Sequence, residues 1–157
     1  MPFIRVTTPA DLLSNDERAA IAERLTVEIM KIETGGRDTP GFRAISALVF
    51  DEIPAGRWSI GGKIAADEAA ALIEIRVPSG ALVEDRRQRM AAAAHNVLIS
   101  ANAKLAAADG VRRIWTHMIE IAEGNWGAGG QIVSLPDVRL VAAGDSLSPV
   151  QPFNRAN

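Results

Sequence analysis

The sequence predicts an α+β two-layer sandwich: two tandem β-α-β units that form one four-stranded sheet with two helices on one face. An internal repeat, helix-spaced apolar residues between signalled ends, and glycine-rich turns after each second strand predict it. Residues 52–64 read E-I-P-A-G-R-W-S-I-G-G-K-I and residues 120–132 read E-I-A-E-G-N-W-G-A-G-G-Q-I. The shared frame is E-I-x-x-G-x-W-x-x-G-G-x-I, offset by 68 residues from Glu52 to Glu120. Chance agreement at a rare Trp and three glycines is small, and such self-similarity marks a duplicated structural unit. The starts of the halves also correspond, residues 3–9 over residues 72–78, with Pro9 and Pro78 offset by 69.

Each element has a local cause. Residues 3–9 and 72–78 open their halves as short strands. Ser14-Asn15-Asp16-Glu17 has the form of a capping box, and Ile21, Leu25, Ile29 and Ile32 then recur at helical spacing. Gly35-Gly36 ends that helix. A second helix is expected from about residue 83 to 108, with Met90, Ala94, Leu98, Ala101 and Leu105 inward and many alanines favouring it. Asp109-Gly110 would end it. Residues 42–53 and 111–121 read as strands, rich in β-branched and apolar side chains. Each leads into a turn whose glycines can take positive φ. A strand, a helix and a parallel strand demand a right-handed crossover, and two such units give the sandwich.

The expected organisation is one domain over residues 1–134, with repeats at about 2–66 and 70–134, then a C-terminal arm over 135–157. Within that arm, residues 138–143 could add an edge strand, to a neighbouring subunit if not to this one.

Composition narrows the function. The 157 residues are 48% hydrophobic with a formal net charge of −2, enough for one core and too little charge for a nucleic-acid surface. Arg86, Arg87 and Arg89 share a helical pattern with Glu84 and Asp85 and read as a solvated face. There is no cysteine, which excludes thiolate chemistry. His95 and His117 are the only histidines, and no metal-ligand spacing occurs, so a metal centre is not expected. The start MPFIRVTT does not have the form of a signal peptide, and no apolar run is long enough to span a bilayer. A cytoplasmic protein is the default expectation.

Pro2, the short strand after it, the capped helix and the hairpin G-R-W-S-I-G-G resemble 4-oxalocrotonate tautomerase and its relatives in the tautomerase superfamily, across residues 2–134. The second hairpin, G-N-W-G-A-G-G, fits that pattern still better. The resemblance implies a fused member with two units per chain, a homotrimer, and an amino-terminal proline as catalytic base or acid. Position 71, the second-half counterpart of Pro2, is alanine, so one proline centre per chain is implied.

Removal of Met1 would leave Pro2 as a secondary amine. An α-amino group ordinarily titrates near ~8, and burial beside cations lowers that toward the range where a general base works at neutral pH. The resemblance makes Trp58 and Trp126 apolar walls of the pocket and puts His117 where fused cis-3-chloroacrylic acid dehalogenase relatives have a catalytic tyrosine. The arginines used by short members are replaced by Leu13 or Ser14 and by Ala47 and Trp115. Arg113, Arg76 and Arg43 are the candidate substitutes for holding a carboxylate. Strand alternation puts Arg113, Trp115 and His117 on one face. Glu52 and Glu120, present in both halves, read as structural, as does His95.

The expected activity is tautomerisation of a small 2-oxo acid or its enol without a cofactor. The alternatives are hydration or hydrolytic dehalogenation of an unsaturated carboxylate on the same site, with His117 orienting water, or a non-catalytic trimeric scaffold. A small carboxylate and two further copies of the chain are the expected partners. Nucleic acid and membrane are not.

Overall fold

The computed structural model describes residues 2–65 and 68–143. Strand β1 (Phe3–Pro9) leads to helix α1 (Asn15–Thr34), a short helix α2 (Pro40–Ile45) and strand β2 (Ala47–Ile53). A hairpin of β3 (Ser59–Ile60) and β4 (Lys63–Ile64) closes the first half. The second half repeats this order with β5 (Ala71–Pro78), α3 (Glu84–Ala101), the single turns α4 (Ala103–Ala106) and α5 (Ala108–Val111), and β6 (Ile114–Ile121). The hairpin β7 (Gly127–Ala128) and β8 (Gln131–Ile132) follows, and then helix α6 (Leu135–Ala143).

The sheet order is β2-β1-β5-β6, with each outer strand parallel to its inner neighbour and the two inner strands antiparallel. This is the α+β arrangement that the repeat predicts. Ile4 and Val6 of β1 and Ala71, Ile73, Ile75 and Val77 of β5 share one face. They are buried against Ile21, Leu25 and Ile29 of α1 and Met90, Ala94 and Leu98 of α3. Full burial of one such aliphatic side chain contributes roughly 1.5–3 kcal/mol.

The repeat register holds in space. Phe3 pairs with Ala47 and Leu72 pairs with Trp115, so the offsets of 69 and 68 recur in the pairing itself. Arg5 is the one position of β1 whose counterpart 69 residues on is also its register partner, Glu74. The approximate twofold axis of the chain therefore runs through that pair. Arg5 Nε approaches Glu74 Oε2 at 3.9 Å, and Glu74 Oε1 accepts a hydrogen bond from Arg76 Nη2 at 3.0 Å.

Several local expectations hold. Ser14 N–H donates to Glu17 Oε2 (2.7 Å) and Glu17 N–H donates to Ser14 Oγ (3.2 Å), a reciprocal capping box. Gly35 ends α1 in the left-handed region. Gly61-Gly62 and Gly129-Gly130 take φ of 59° and 80°, and 60° and 79°, which a two-residue hairpin turn requires at both positions. Arg18–Glu52 (2.6 Å) and Arg87–Glu120 (3.4 Å) are counterpart ion pairs, so both glutamates tie a helix to the end of a strand.

Three expectations are corrected. Residues 42–46 do not extend the strand. Thr39 accepts from Phe42 N–H through its side chain and Pro40 sits in the first turn, so residues 40–45 are helical. The second helix does not run unbroken to 108. Asn102 leaves helical geometry at φ −134° and ψ 122° and caps α4 by accepting from Leu105 N–H. Residues 138–143 are not an edge strand but lie in α6, begun by Ser134 and Asp137. Ser134 N–H and Oγ–H donate to Asp137 Oδ2 (2.8 and 2.6 Å), and Asp137 N–H donates to Ser134 Oγ (3.3 Å). Val138 is buried beside Met30 and Phe42. Residues 144–157, the rest of the expected arm, lie outside the described residues.

The Ser134 contacts hold the Asp137 carboxyl below its ordinary pKa of 3.8. A lowered folded-state pKa stabilises above the unfolded value and loses its effect as pH falls through the folded one. Protection of α6 from amide exchange should therefore hold at neutral pH and fall in acid below about 3.8. Asp137→Asn should show the reduced protection already at pH 7, read by hydrogen-exchange mass spectrometry over residues 135–143.

Candidate functional site

Pro2 is buried at the head of β1, and its carbonyl accepts from Ala47 N–H at 3.2 Å. It continues the parity of Ile4 and Val6, the helix-covered face. The carboxyl end of α1, α2, the amino end of α3 and the carboxyl ends of β5 and β6 all lie at this end of the sheet, as the strand directions require.

A cavity of about 310 Å³ opens there between the end of α1, the start of α3, and α6. Phe42, Leu135, Val138 and Ala81 give it an apolar floor, and Glu33, Arg37, Arg86 and Arg139 give it charge. Pro2 stands at the same end but is not one of the lining residues. Glu33 is 8% exposed. Arg86 is half-buried and donates from Nη1 to Ala81 O at 3.0 Å.

The opposite end of the sheet carries the counterpart of this site. Moving each residue by 69 positions turns Leu12 into Ala81, Glu17 into Arg86 and Glu33 into Asn102. Leu12, Glu17 and Asn102 line a wider, open depression of about 530 Å³. Its polar groups satisfy one another: Asn102 Nδ2–H donates to Leu12 O (3.1 Å) and to Glu17 Oε1 (2.9 Å). Hydrogen bonding to the Ser14 backbone holds the Glu17 carboxyl below its ordinary pKa. Ala71 stands where the first half has Pro2. The two ends thus share a framework and differ in chemistry. One is a self-bonded carboxylate and amide, the other a cavity lined by three arginines and Glu33 at the Pro2 end of the sheet.

The residues singled out from sequence are not brought to one place within the protomer. Phe3 pairs with Arg76, which pairs with Ile119. From Pro2, His117 is therefore two strands across, about 10 Å, and three residues along, about 10 Å. His117 is exposed on the face opposite the helices, opposite Glu74. Arg113 lies seven residues from Pro2's level, about 23 Å away, and pairs with Glu68 at 2.6 Å. Arg76 stands on the uncovered face, 5.9 Å from the Phe3 ring centroid, and bonds Glu74. Arg43 is exposed on α2 and spans Asp38 (2.7 Å) and Glu23 (2.9 Å), which raise its pKa above the ordinary value. Trp58 is half-buried in the first hairpin. Trp126 packs on Met30, Phe42 and Val138, next to the cavity.

Arg37, Arg86 and Arg139 are the cavity residues that sequence reasoning passed over. Arg86 sits within a charged helical run that reads as solvated, and Arg139 becomes a lining residue only because residues 135–143 form a helix. The signals were the offset that sets Arg86 over Glu17 and the helix start Ser134-Leu135-Pro136-Asp137. Among the described residues, no group of three His, Asp or Glu side chains converges as a metal site, and no helix is long and apolar enough to cross a membrane.

No family model and no curated relative matches the chain. Solved structures do. Native fused 4-OT aligns with a TM-score of 0.67 at 21% identity, over 83% of this chain and 94% of that one. The asymmetric trimer of F6 fused 4-OT gives 0.66 at 17%, over 83% and 94%. N1, a member of the cis-3-chloroacrylic acid dehalogenase family, gives 0.68 at 19%, over 85% of each chain. The chain therefore has the fold of these tautomerase-like proteins.

Asn102→Ala removes the α4 cap and leaves Leu12 O and Glu17 without their donor. It should destabilise the protein by about 1–3 kcal/mol in urea unfolding.

Proposed function

We propose that the chain is a member of the tautomerase superfamily and a cofactor-independent isomerase, interconverting the keto and enol forms of a small 2-oxo acid. Pro2, made a secondary amine by removal of Met1, would be the proton-transferring group. The observation that carries this reading is the burial of Pro2 at the end of the sheet where the cationic cavity lies. As a neutral amine, Pro2 takes a proton from carbon or oxygen of the substrate and returns it elsewhere. Guanidinium groups at the same end of the sheet would favour the neutral amine, hold the carboxylate and stabilise the enolate. Arg86 fits that part better than Arg43, whose charge is already spanned by two carboxylates.

Two further copies of the chain are the proposed partners. The sheet has helices on one face only, and the other exposes Val49 (37%) and Trp115 (41%) beside His117. One fused 4-OT structure of this fold is an asymmetric trimer. In such an assembly, His117, Arg113 and Arg76 would serve a reaction centre only from a neighbouring copy or along its edge.

A second reading, hydration or hydrolytic dehalogenation of an unsaturated carboxylate, is favoured by Glu33. A buried carboxylate at the Pro2 end opposes the arginines and supports a protonated amine, which would donate a proton while water adds.

The test is a screen of phenylenolpyruvate, 2-hydroxymuconate and haloacrylates, with mass spectrometry confirming that the protein begins at Pro2. Pro2→Ala and a variant with one residue added before Pro2 should each lose at least about 100-fold in kcat/KM. Activity that rises as the amine deprotonates identifies the base, and activity that falls identifies the acid. Full activity with Pro2 capped would overturn the assignment of Pro2. Absence of activity on every substrate would favour the scaffold.

Trp115→Glu should convert the trimer to a smaller species in light scattering coupled to size-exclusion chromatography. A wild-type monomer at micromolar concentration would refute the assembly.

A further inference from the structure

We infer that the open depression at the Asn102 end of the sheet is a docking socket for the first hairpin, β3–β4, of a second copy of the chain. The inference rests on the proposed trimer, and it adds which end of the sheet receives which hairpin.

The two hairpins share a backbone and differ in charge. Ile64 and Ile132 are counterparts, and both are exposed, so an apolar contact surface is common to the two. Arg57 and Lys63 of the first hairpin become Asn125 and Gln131 in the second. Arg57 and Lys63 are exposed, and no described carboxylate lies within 4 Å of either, whereas Arg18, Arg43 and Arg113 are each paired.

The two ends of the sheet differ in the complementary sense. Asp11, Glu17 and Lys104 line the depression beside the apolar Leu12 and Ala103. Three arginines and Glu33 line the cavity at the other end. Asp11 is held at φ 62°, where its counterpart 69 residues on is Gly80 at φ 81°. The first half therefore keeps a carboxylate where the backbone favours glycine. The cavity at the Pro2 end has α6 as a wall, supplied by the residues that follow the second hairpin. Only six residues separate Ile64 from Ala71, so the first hairpin has no following helix of that length, and the depression stays open.

Strand direction sets what can close it. β2 ends at the Asn102 end and carries the first hairpin there, while β6 ends at the Pro2 end and carries the second. In a closed ring whose axis follows the strands, rotation keeps the same end of every copy uppermost. The cationic hairpin of one copy then stands level with Asp11 and Glu17 of the next, and the neutral hairpin stands level with the arginines. Turning one copy over would set Arg57 and Lys63 against the arginine end, where like charges oppose. Ala71 in place of Pro2 and the self-bonded Glu17 suit a contact surface better than a reacting one.

The chain has no cysteine, so introduced thiols report proximity without background. Two tagged full-length chains, Lys63→Cys and Ala103→Cys, co-expressed and treated with a short bismaleimide, should give a covalent pair carrying both tags. Thr34→Cys, the counterpart of Ala103 at the Pro2 end, should give none with Lys63→Cys. In sedimentation at low ionic strength, Lys63→Gln and Asp11→Asn should each raise the trimer dissociation constant by about tenfold, summed over three junctions, and the double variant should raise it no further. Asn tolerates the Asp11 backbone, which keeps that variant folded. The reverse crosslinking pattern, additive effects in the double variant, or unchanged affinity in both single variants would each overturn the socket. A wild-type monomer would reject the trimer and the socket together. A trimer without the link between positions 63 and 103 would reject the socket alone.

Discussion

The antiparallel pairing of β1 with β5 is the contact on which the rest of the molecule depends. Each half alone is two parallel strands under one helix, with an inner strand edge left unpaired. Joining the inner edges makes one sheet whose helix-facing side chains form a continuous core. The register is fixed by alternation, because a slip of one residue would turn Ile4, Val6, Ile73 and Ile75 away from the helices. It also puts Pro2 and the start of α3 at the same end of the sheet. Neither half alone could build the cavity, which takes Glu33 and Arg37 from the first and Arg86 from the second.

Much of this was legible in the residues. The hairpin frame with its paired tryptophans reported the duplication, and the duplication implies the topology once right-handed crossovers are required. Ser14 and Glu17 announced α1 because a capping box is a local hydrogen-bond pattern with a local sequence. The structural role of Glu52 and Glu120 was legible from their duplication, but their helix partners were not, since Arg87 reads as part of a solvated face.

What was not legible depends on competition or distance. Residues 42–46 are apolar enough for a strand, but the Thr39-Pro40 cap wins them for a helix turn. In residues 138–143 the β-branched valines suggested a strand, and the Ser134–Asp137 box with burial of Val138 outweighed them. Asn102 breaks a helix of good formers because its amide finds Leu12 O and Glu17, partners some 90 and 85 positions away. Arg113 and His117 were grouped correctly by alternation, yet their distance from Pro2 follows from the direction of β6, which parity does not encode. The cavity arginines are ordinary surface residues until three elements converge on them.

The self-bonded end around Asn102 has a consequence for how this chain can change. Proteins commonly face a conflict between rigidity and turnover, because reactive groups are held in arrangements that weaken the structure. With the proposed reaction centre at the Pro2 end, duplication separates the two burdens in space. The Asn102 end can then absorb tightening substitutions at a distance from the chemistry, leaving the other end free to vary with the substrate.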